Sequence, residues 1–137
     1  MTFSIEFIRS INHSEKDVGG LLRINGHEEQ FRSPLTYWNI DDYMNQWKIG
    51  ISRVRQGKAS CLITAIENPK HFHFGEWWLL YVRNGRVLLQ NHLLLRELFE
   101  QPFDPENPYS FIPEYESTTE EGDLISEWQL SMTDFLC

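Results

Sequence analysis

The sequence predicts an α+β fold, mainly antiparallel β-sheet, with one main amphipathic helix and short helical turns. Three observations carry that prediction. Two Asn-Gly pairs, Asn25-Gly26 and Asn84-Gly85, each sit between strand-like runs. Apolar residues recur at spacings of three and four over about residues 40–56. The chain has 137 residues, 41% of them hydrophobic, which suits one sizeable core, so residues 1–137 read as a single domain.

Thr2 to Arg9 opens the chain as a strand, with Phe3, Ile5 and Phe7 on one face and Thr2, Ser4 and Glu6 on the other. Asn12 to Gly20 reads as a polar loop. Leu21–Ile24 and His27–Phe31 then flank Asn25-Gly26, a pair that tolerates the positive φ angles of a type I′ hairpin. The second hairpin joins Glu76–Arg83 to Arg86–Leu93. Counting outward from its turn pairs Val82 with Val87, Leu80 with Leu89 and Trp78 with Asn91. On the other face Tyr81 meets Leu88, Leu79 meets Gln90 and Trp77 meets His92. Both faces are largely apolar, so these strands are expected mid-sheet and covered on each side.

Ala59–Ile66 reads as a buried strand and Leu124–Ser131 as a last one, with Trp128 and Leu130 in its core set. The main helix is capped by Asn39, with Asp41 and Asp42 at its positive end, Arg53 and Arg55 at its negative end, and Gly57 beyond. Its stripe of Ile40, Tyr43, Met44, Trp47, Ile51 and Val54 is expected to pack on the sheet. A short helix is expected over Leu94–Glu100, and Ser131 with Asp134 resembles a capping box opening a last turn through Phe135 and Leu136. Four prolines between Gln101 and Pro113 predict a long irregular surface connection.

Charge divides the chain. The total is -8, from 20 acids against 12 Lys and Arg. Residues 1–96 hold all twelve cations against nine acids, +3, whereas residues 97–137 hold eleven acids and no cation. Such a balance disfavours nucleic acid or an anionic membrane as partner, since both require positive charge. Aromatic content of 14% is too high for a disordered acidic tail. No run of about 18 apolar residues occurs, and the N-terminus lacks a basic n-region and a small-residue cleavage site. A cytosolic protein beginning near Met1 is expected, with Cys61 and Cys137 as free thiols.

Chemistry-bearing constellations are sparse. His71 and His73, with Glu76 nearby, form the one metal-like spacing, but no fourth ligand follows and a structural role is expected. His92, opposite Trp77, reads as a half-buried sheet residue. Ser60 and Cys61 lie within a strand without a nucleophile elbow, and Gly19-Gly20 leads into a strand-like run rather than a phosphate-binding helix. The reading is therefore non-enzymatic, with no cofactor and no metal. Trp38, Trp47, Trp77, Trp78, Trp128, Tyr37, Tyr43 and Tyr81 could stack on bases, yet their periodicity argues for core packing. In the acidic part, Glu114, Glu116, Glu120, Glu121 and Asp123 flank Phe111, Ile112 and Tyr115. Aromatic anchors rimmed by carboxylates are the composition of an electrostatically steered protein interface.

The segment SPLTYWNIDDYMNQW, Ser33 to Trp47, resembles a signature of CdiI immunity proteins from bacterial contact-dependent growth inhibition systems. The resemblance resumes at Ala59–Ile66, at Trp77–Asn91 (WWLLYVRNGRVLLQN) and at Ile125–Trp128 (ISEW), about two thirds of the chain in matching order. It rests on a Y-W-x-I-x-D-Y-x-x-x-W pattern and a V-x-x-Q-N strand taken together. It implies a β-sandwich decorated by short helices, similar to the Whirly single-stranded DNA-binding fold. It also implies a non-enzymatic cytosolic protein that forms a heterodimer with a cognate, basic CdiA C-terminal toxin domain. That toxin is expected to be a nuclease, an RNase ahead of a DNase, blocked at its active or substrate-binding surface. Contact is expected through Glu114, Tyr115, Glu116, Glu120, Glu121 and Asp123, with Asp104 and Glu106 on the adjoining loop. The motif residues Tyr37, Trp38, Tyr43 and Trp47 read as fold-holding. A single-stranded nucleic-acid binder of Whirly-like fold is the alternative, and a small metal-dependent hydrolase, suggested by His71, His73 and the carboxylates, a further one.

Overall fold

The computed structural model describes residues 3–8, 16–68, 70, 74–95, 97 and 99–136. Two antiparallel sheets form. The first has the order β1 (Phe3–Phe7), β2 (Asp17–Ile24), β3 (His27–Pro34). The second has the order β4 (Ser60–Ala65), β5 (Phe74–Arg83), β6 (Arg86–Leu95), β7 (Trp128–Ser131). The described residues also form one long helix, α1 (Ile40–Arg55), and a short C-terminal one, α2 (Met132–Leu136). This is the expected α+β architecture.

Both hairpins form as the Asn-Gly pairs dictate. Asn25 and Asn84 have φ of 54° and 52°, the left-handed region that such turns require. The β5–β6 ladder has all six pairings counted from the sequence, from Val82↔Val87 out to Trp77↔His92. The strands are also covered on both faces. Trp78 packs at a tilt against Trp128, 5.4 Å between ring centroids, and Trp128 stacks on His27 of β3, so that face looks toward the first sheet. The opposite face carries Trp77, whose ring lies 5.6 Å from Phe103 and 6.3 Å from Phe99.

That second contact revises the reading of the proline-rich connection. Phe103 is 2% exposed, Pro105 and Pro108 are buried, and a 3-10 turn, Pro108–Phe111, returns Phe111 onto Phe99 and Phe103. The connection is irregular, as proline demands, but it is the outer layer of the core rather than a surface loop.

Four further expectations change. Asp17–Gly20 belongs to β2 rather than to a loop, because Gly20 lets the Phe31 ring lie over the strand; a Cβ there would sit 2.3 Å from that ring. Leu94 and Leu95 finish β6 opposite Gly75 and Phe74, so the helix expected from Leu94 does not start there. The last strand is only Trp128–Ser131; Leu124 pairs instead with Thr118 in a separate hairpin. The helical stripe is also rotated: Met44 is 51% exposed, while Gln46 and Gly50 are buried with Tyr43, Trp47 and Val54.

The rotation has a cause. β4 is an edge strand, and an edge leaves alternate backbone groups unpaired. Helix α1 lies along that edge and supplies the missing partners from its side chains. Gln46 donates Nε2 to Cys61 O at 2.8 Å and accepts from Ile63 N at 2.7 Å. Trp47 Nε1 donates to Ile63 O at 2.7 Å, and Tyr43 OH accepts from Ile66 N at 3.2 Å. Gly50 permits the approach, since a Cβ would stand 2.6 Å from Cys61 O. The helix is fixed at its start by a capping box between Asn39 and Asp42, and Gly57, φ +80°, follows its end.

Replacing Gln46 by Leu keeps the volume and orphans one buried carbonyl and one buried amide, a loss of about 2–4 kcal/mol in urea unfolding. Met44→Gln, on the exposed side of the same helix, is expected to change stability by less than about 0.5 kcal/mol.

Candidate functional site

The segment that carries most of the acidic residues lies on the same face of the four-stranded sheet as Trp77, bonded to Tyr81 of β5 and Gln90 of β6. From Pro113 the chain enters a small hairpin. Ile125 N donates to Ser117 O, Thr119 N to Asp123 O and Gly122 N to Thr119 O, with Gly122 at φ +90°. Glu116, Glu120, Glu121 and Asp123 are all exposed on this unit, and Glu114 is exposed just before it. Leu124, 84% exposed, is the one large apolar side chain that the hairpin displays.

The hairpin is tied to the sheet by a part-buried polar cluster centred on a buried glutamine. Gln90, 1% exposed in the middle of β6, donates Nε2 to Glu116 O at 2.9 Å and to Glu127 Oε1 at 3.0 Å. Its Oε1 pairs with His92 Nε2 at 2.8 Å. Tyr115 OH donates to the same Glu127 oxygen at 2.7 Å, which together with partial desolvation raises the tyrosine pKa. Tyr81 OH donates to Pro113 O at 3.0 Å; burial, then the charge of Glu116, push its pKa up to about 12, so it remains a donor. The Tyr115 ring packs edge-on against Tyr81 at 5.2 Å and carries the Arg83 guanidinium 4.3 Å above its centroid.

Glu114, Tyr115, Glu116, Glu120, Glu121 and Asp123 therefore form one unit. Asp104 and Glu106 lie apart from it. Both are exposed; Glu106 lines a small cleft beside α1 with Trp38, Asp42, Asn45, Gln46 and Tyr109, and Asp104 Oδ1 accepts from Glu106 N. Tyr109 is the link, since it lines both this cleft and the one beside Glu114 and Tyr115. None of these seven carboxylates has an ion-pair partner among the described residues; the ion pairs found there, such as Arg23 with Glu6 and Glu28, lie on the first sheet.

Phe111 turns inward onto Phe99 and Phe103, and the Tyr115 hydroxyl is bonded to Glu127 while its ring stays half-buried beside the exposed carboxylates. Gln90, Glu127 and Leu124 were not singled out as site residues from sequence. A glutamine midway along an otherwise apolar strand face was the available signal for Gln90, because a buried amide requires partners; Leu124 carried none.

Of the aromatics that could have stacked on bases, all but Tyr37, 40% exposed, are buried or half-buried in the core. Cys61 is buried within β4, and burial pushes its thiol well above the ordinary value, the reverse of an activated nucleophile. No group of three or more His, Cys, Asp or Glu converges as a metal site among the described residues; His71 and His73 lie outside them. No helix there is long and apolar enough to cross a membrane.

Fold and surface together define a small two-sheet α+β protein that displays a fixed acidic hairpin. Residues 33–136 match the family described as the CdiI N-terminal domain, and the chain belongs to the CdiI family of immunity proteins. The immunity protein CdiI of Enterobacter cloacae subsp. cloacae is 34% identical over 116 residues, 82% of this chain and 78% of that protein. A chain of the solved CdiA-CT/CdiI toxin and immunity complex from Enterobacter cloacae is similar at a TM-score of 0.85 and 28% identity. The alignment covers 98% of this chain and 94% of that one.

His92 offers a check on the polar cluster. Burial lowers its pKa, so it is neutral when folded, and the unfolded chain binds a proton first as pH falls below about 6.5. Its contribution is intact above that pH and is lost below it. Urea midpoints at about pH 7.5 and about pH 5.5 should therefore diverge more in the wild type than in His92→Gln.

Proposed function

We propose that this chain neutralises a cognate CdiA C-terminal toxin domain by binding it and covering its active or substrate-binding surface, without catalysis of its own. The observation that carries this is the acidic hairpin: Glu114, Glu116, Glu120, Glu121 and Asp123 exposed and unpaired, on a backbone fixed by Gln90, Glu127 and Tyr115. Carboxylates held in place on an acidic protein attract a basic surface and compete with a phosphate backbone for it. The toxin that fits is a basic nuclease, an RNase ahead of a DNase. The solved complex from Enterobacter cloacae, which pairs a CdiA-CT with a CdiI, supports the kind of partner.

In this reading Glu116, Glu120, Glu121 and Asp123 steer the encounter, and Tyr115 and Leu124 supply apolar area. Asp104 and Glu106 extend the contact toward α1. About 800 Å² buried on each partner would make an ordinary interface. The protein works in the cytosol, where the incoming toxin meets its substrate, and it requires no cofactor, nucleic acid or membrane.

The test is association kinetics with the purified toxin domain. Reversing Glu116, Glu120 and Glu121 to Lys should lower the association rate about tenfold or more at low salt, with the unfolding midpoint unchanged. An unaltered association rate would remove the hairpin from the interface. In the same assay the toxin domain is expected to cleave RNA in preference to DNA, and an equimolar amount of this chain to abolish cleavage.

A further inference from the structure

Two cations share one cleft on the acidic face. A cleft of about 440 Å³ is lined by Arg53 and Arg83, by Tyr81, Tyr109 and Tyr115, and by Glu114. Each guanidinium lies over a tyrosine ring, Arg53 at 4.4 Å from the Tyr109 centroid and Arg83 at 4.3 Å from that of Tyr115. The rings are themselves fixed: Tyr109 OH accepts from Gln46 Nε2 at 3.3 Å, and Tyr115 OH donates to Glu127. Arg53 is held further, with Nε and Nη2 donating to Ala59 O at 3.2 and 3.0 Å.

Neither arginine is neutralised. Arg83 has no carboxylate or carbonyl acceptor among the described residues, although acids crowd the segment beside it, and Arg53 keeps Nη1 unused. Arg83 also stands directly opposite Arg86 across the last β5–β6 pair, and like charges so placed repel. A pinned guanidinium with spare donors is an arrangement suited to a planar anion. Glu114, in the same lining, opposes an anion in proportion to its charge and so favours a singly charged one over a doubly charged one.

We infer that this cleft receives a carboxylate side chain of the toxin partner, held by Arg83 and assisted by Arg53. The inference rests on the toxin-binding reading above and deepens it. A face made only of acids accepts any basic protein, whereas a cation set within it demands an acid at one matching place. Such a demand separates a cognate toxin from other basic proteins through the repulsion or unpaired charge that the wrong partner meets.

The experiment is a double-mutant cycle on the complex. Arg83→Gln, at an exposed position, is expected to raise the dissociation rate about tenfold or more while the salt dependence of association stays near that of the wild type. Arg83→Lys keeps the charge without the fork and should recover part of the loss. One Asp→Ala or Glu→Ala variant of the toxin domain should then show an effect that is non-additive with Arg83→Gln. Equal affinity for wild type and Arg83→Gln, or a loss that couples to no toxin acid, overturns the inference while leaving the toxin-binding reading in place. Absence of binding by the wild type would sink both.

Discussion

The seam between α1 and β4 is the constraint on which the rest of the structure depends. An edge strand buried along nearly its whole length cannot leave its backbone groups unpaired, and no fifth strand among the described residues pairs them. Tyr43, Gln46 and Trp47 supply the partners instead, from successive turns of one helix. The same Trp47 ring contacts Phe7 of β1 at 4.7 Å and Phe31 of β3 at 5.7 Å, so one side chain closes the edge of the second sheet and packs on the first. This explains why a helix with an apparent apolar stripe turns a glutamine and a glycine inward: at a strand edge hydrogen-bonding capacity and close approach outweigh apolar area. It also gives a physical reason for the aromatic pattern around Tyr37–Trp47, in which Trp38 packs edge-on against Tyr43 at 5.2 Å and Asp42 completes the cap.

What was legible in the sequence was what short-range chemistry decides. Asn-Gly turns set both hairpins, and once a two-residue turn is fixed the register follows residue by residue, as the Trp77↔His92 pairing at the far end shows. Caps and dipole charges likewise located α1 within a residue. What was illegible depended on partners distant in the chain. Leu94 and Leu95 have ordinary helical propensity, but Gly75 and Phe74 offered them a ladder. Gly19-Gly20 looks like a breaker until Phe31 is laid across it. Met44 and Gln46 exchange the roles that periodicity assigned them, because the surface they meet is a strand edge rather than a sheet face.

The acidic site was half legible for a related reason. Composition located the charge, and the exposed carboxylates of Glu114–Asp123 do gather on one hairpin and the residues leading into it. It could not show what holds them. Gln90 and Glu127, 37 residues apart, meet under that hairpin and share Tyr115 as a third member. Both belong to the stretches that resemble the family pattern, V-x-x-Q-N and I-S-E-W. The buried glutamine and its partners thus build the mount, and the exposed acidic side chains are what is mounted, a division that lets the displayed charge be altered without touching the sheet.

Mounting matters energetically. An acidic tail of the same composition would attract a basic surface equally well at long range, but each side chain and backbone residue ordered on contact would reduce the gain, by about 1–2 kcal/mol per backbone residue. Here the backbone from Pro113 to Glu127 is already bonded to β5, β6 and itself. Long-range charge and a preformed surface are separate contributions: the first sets how quickly partners meet, the second how slowly they part. Steering depends on net charge, and many acidic proteins have that. Persistence requires fixed geometry, and in this chain the geometry comes from a glutamine buried in the middle of a central strand.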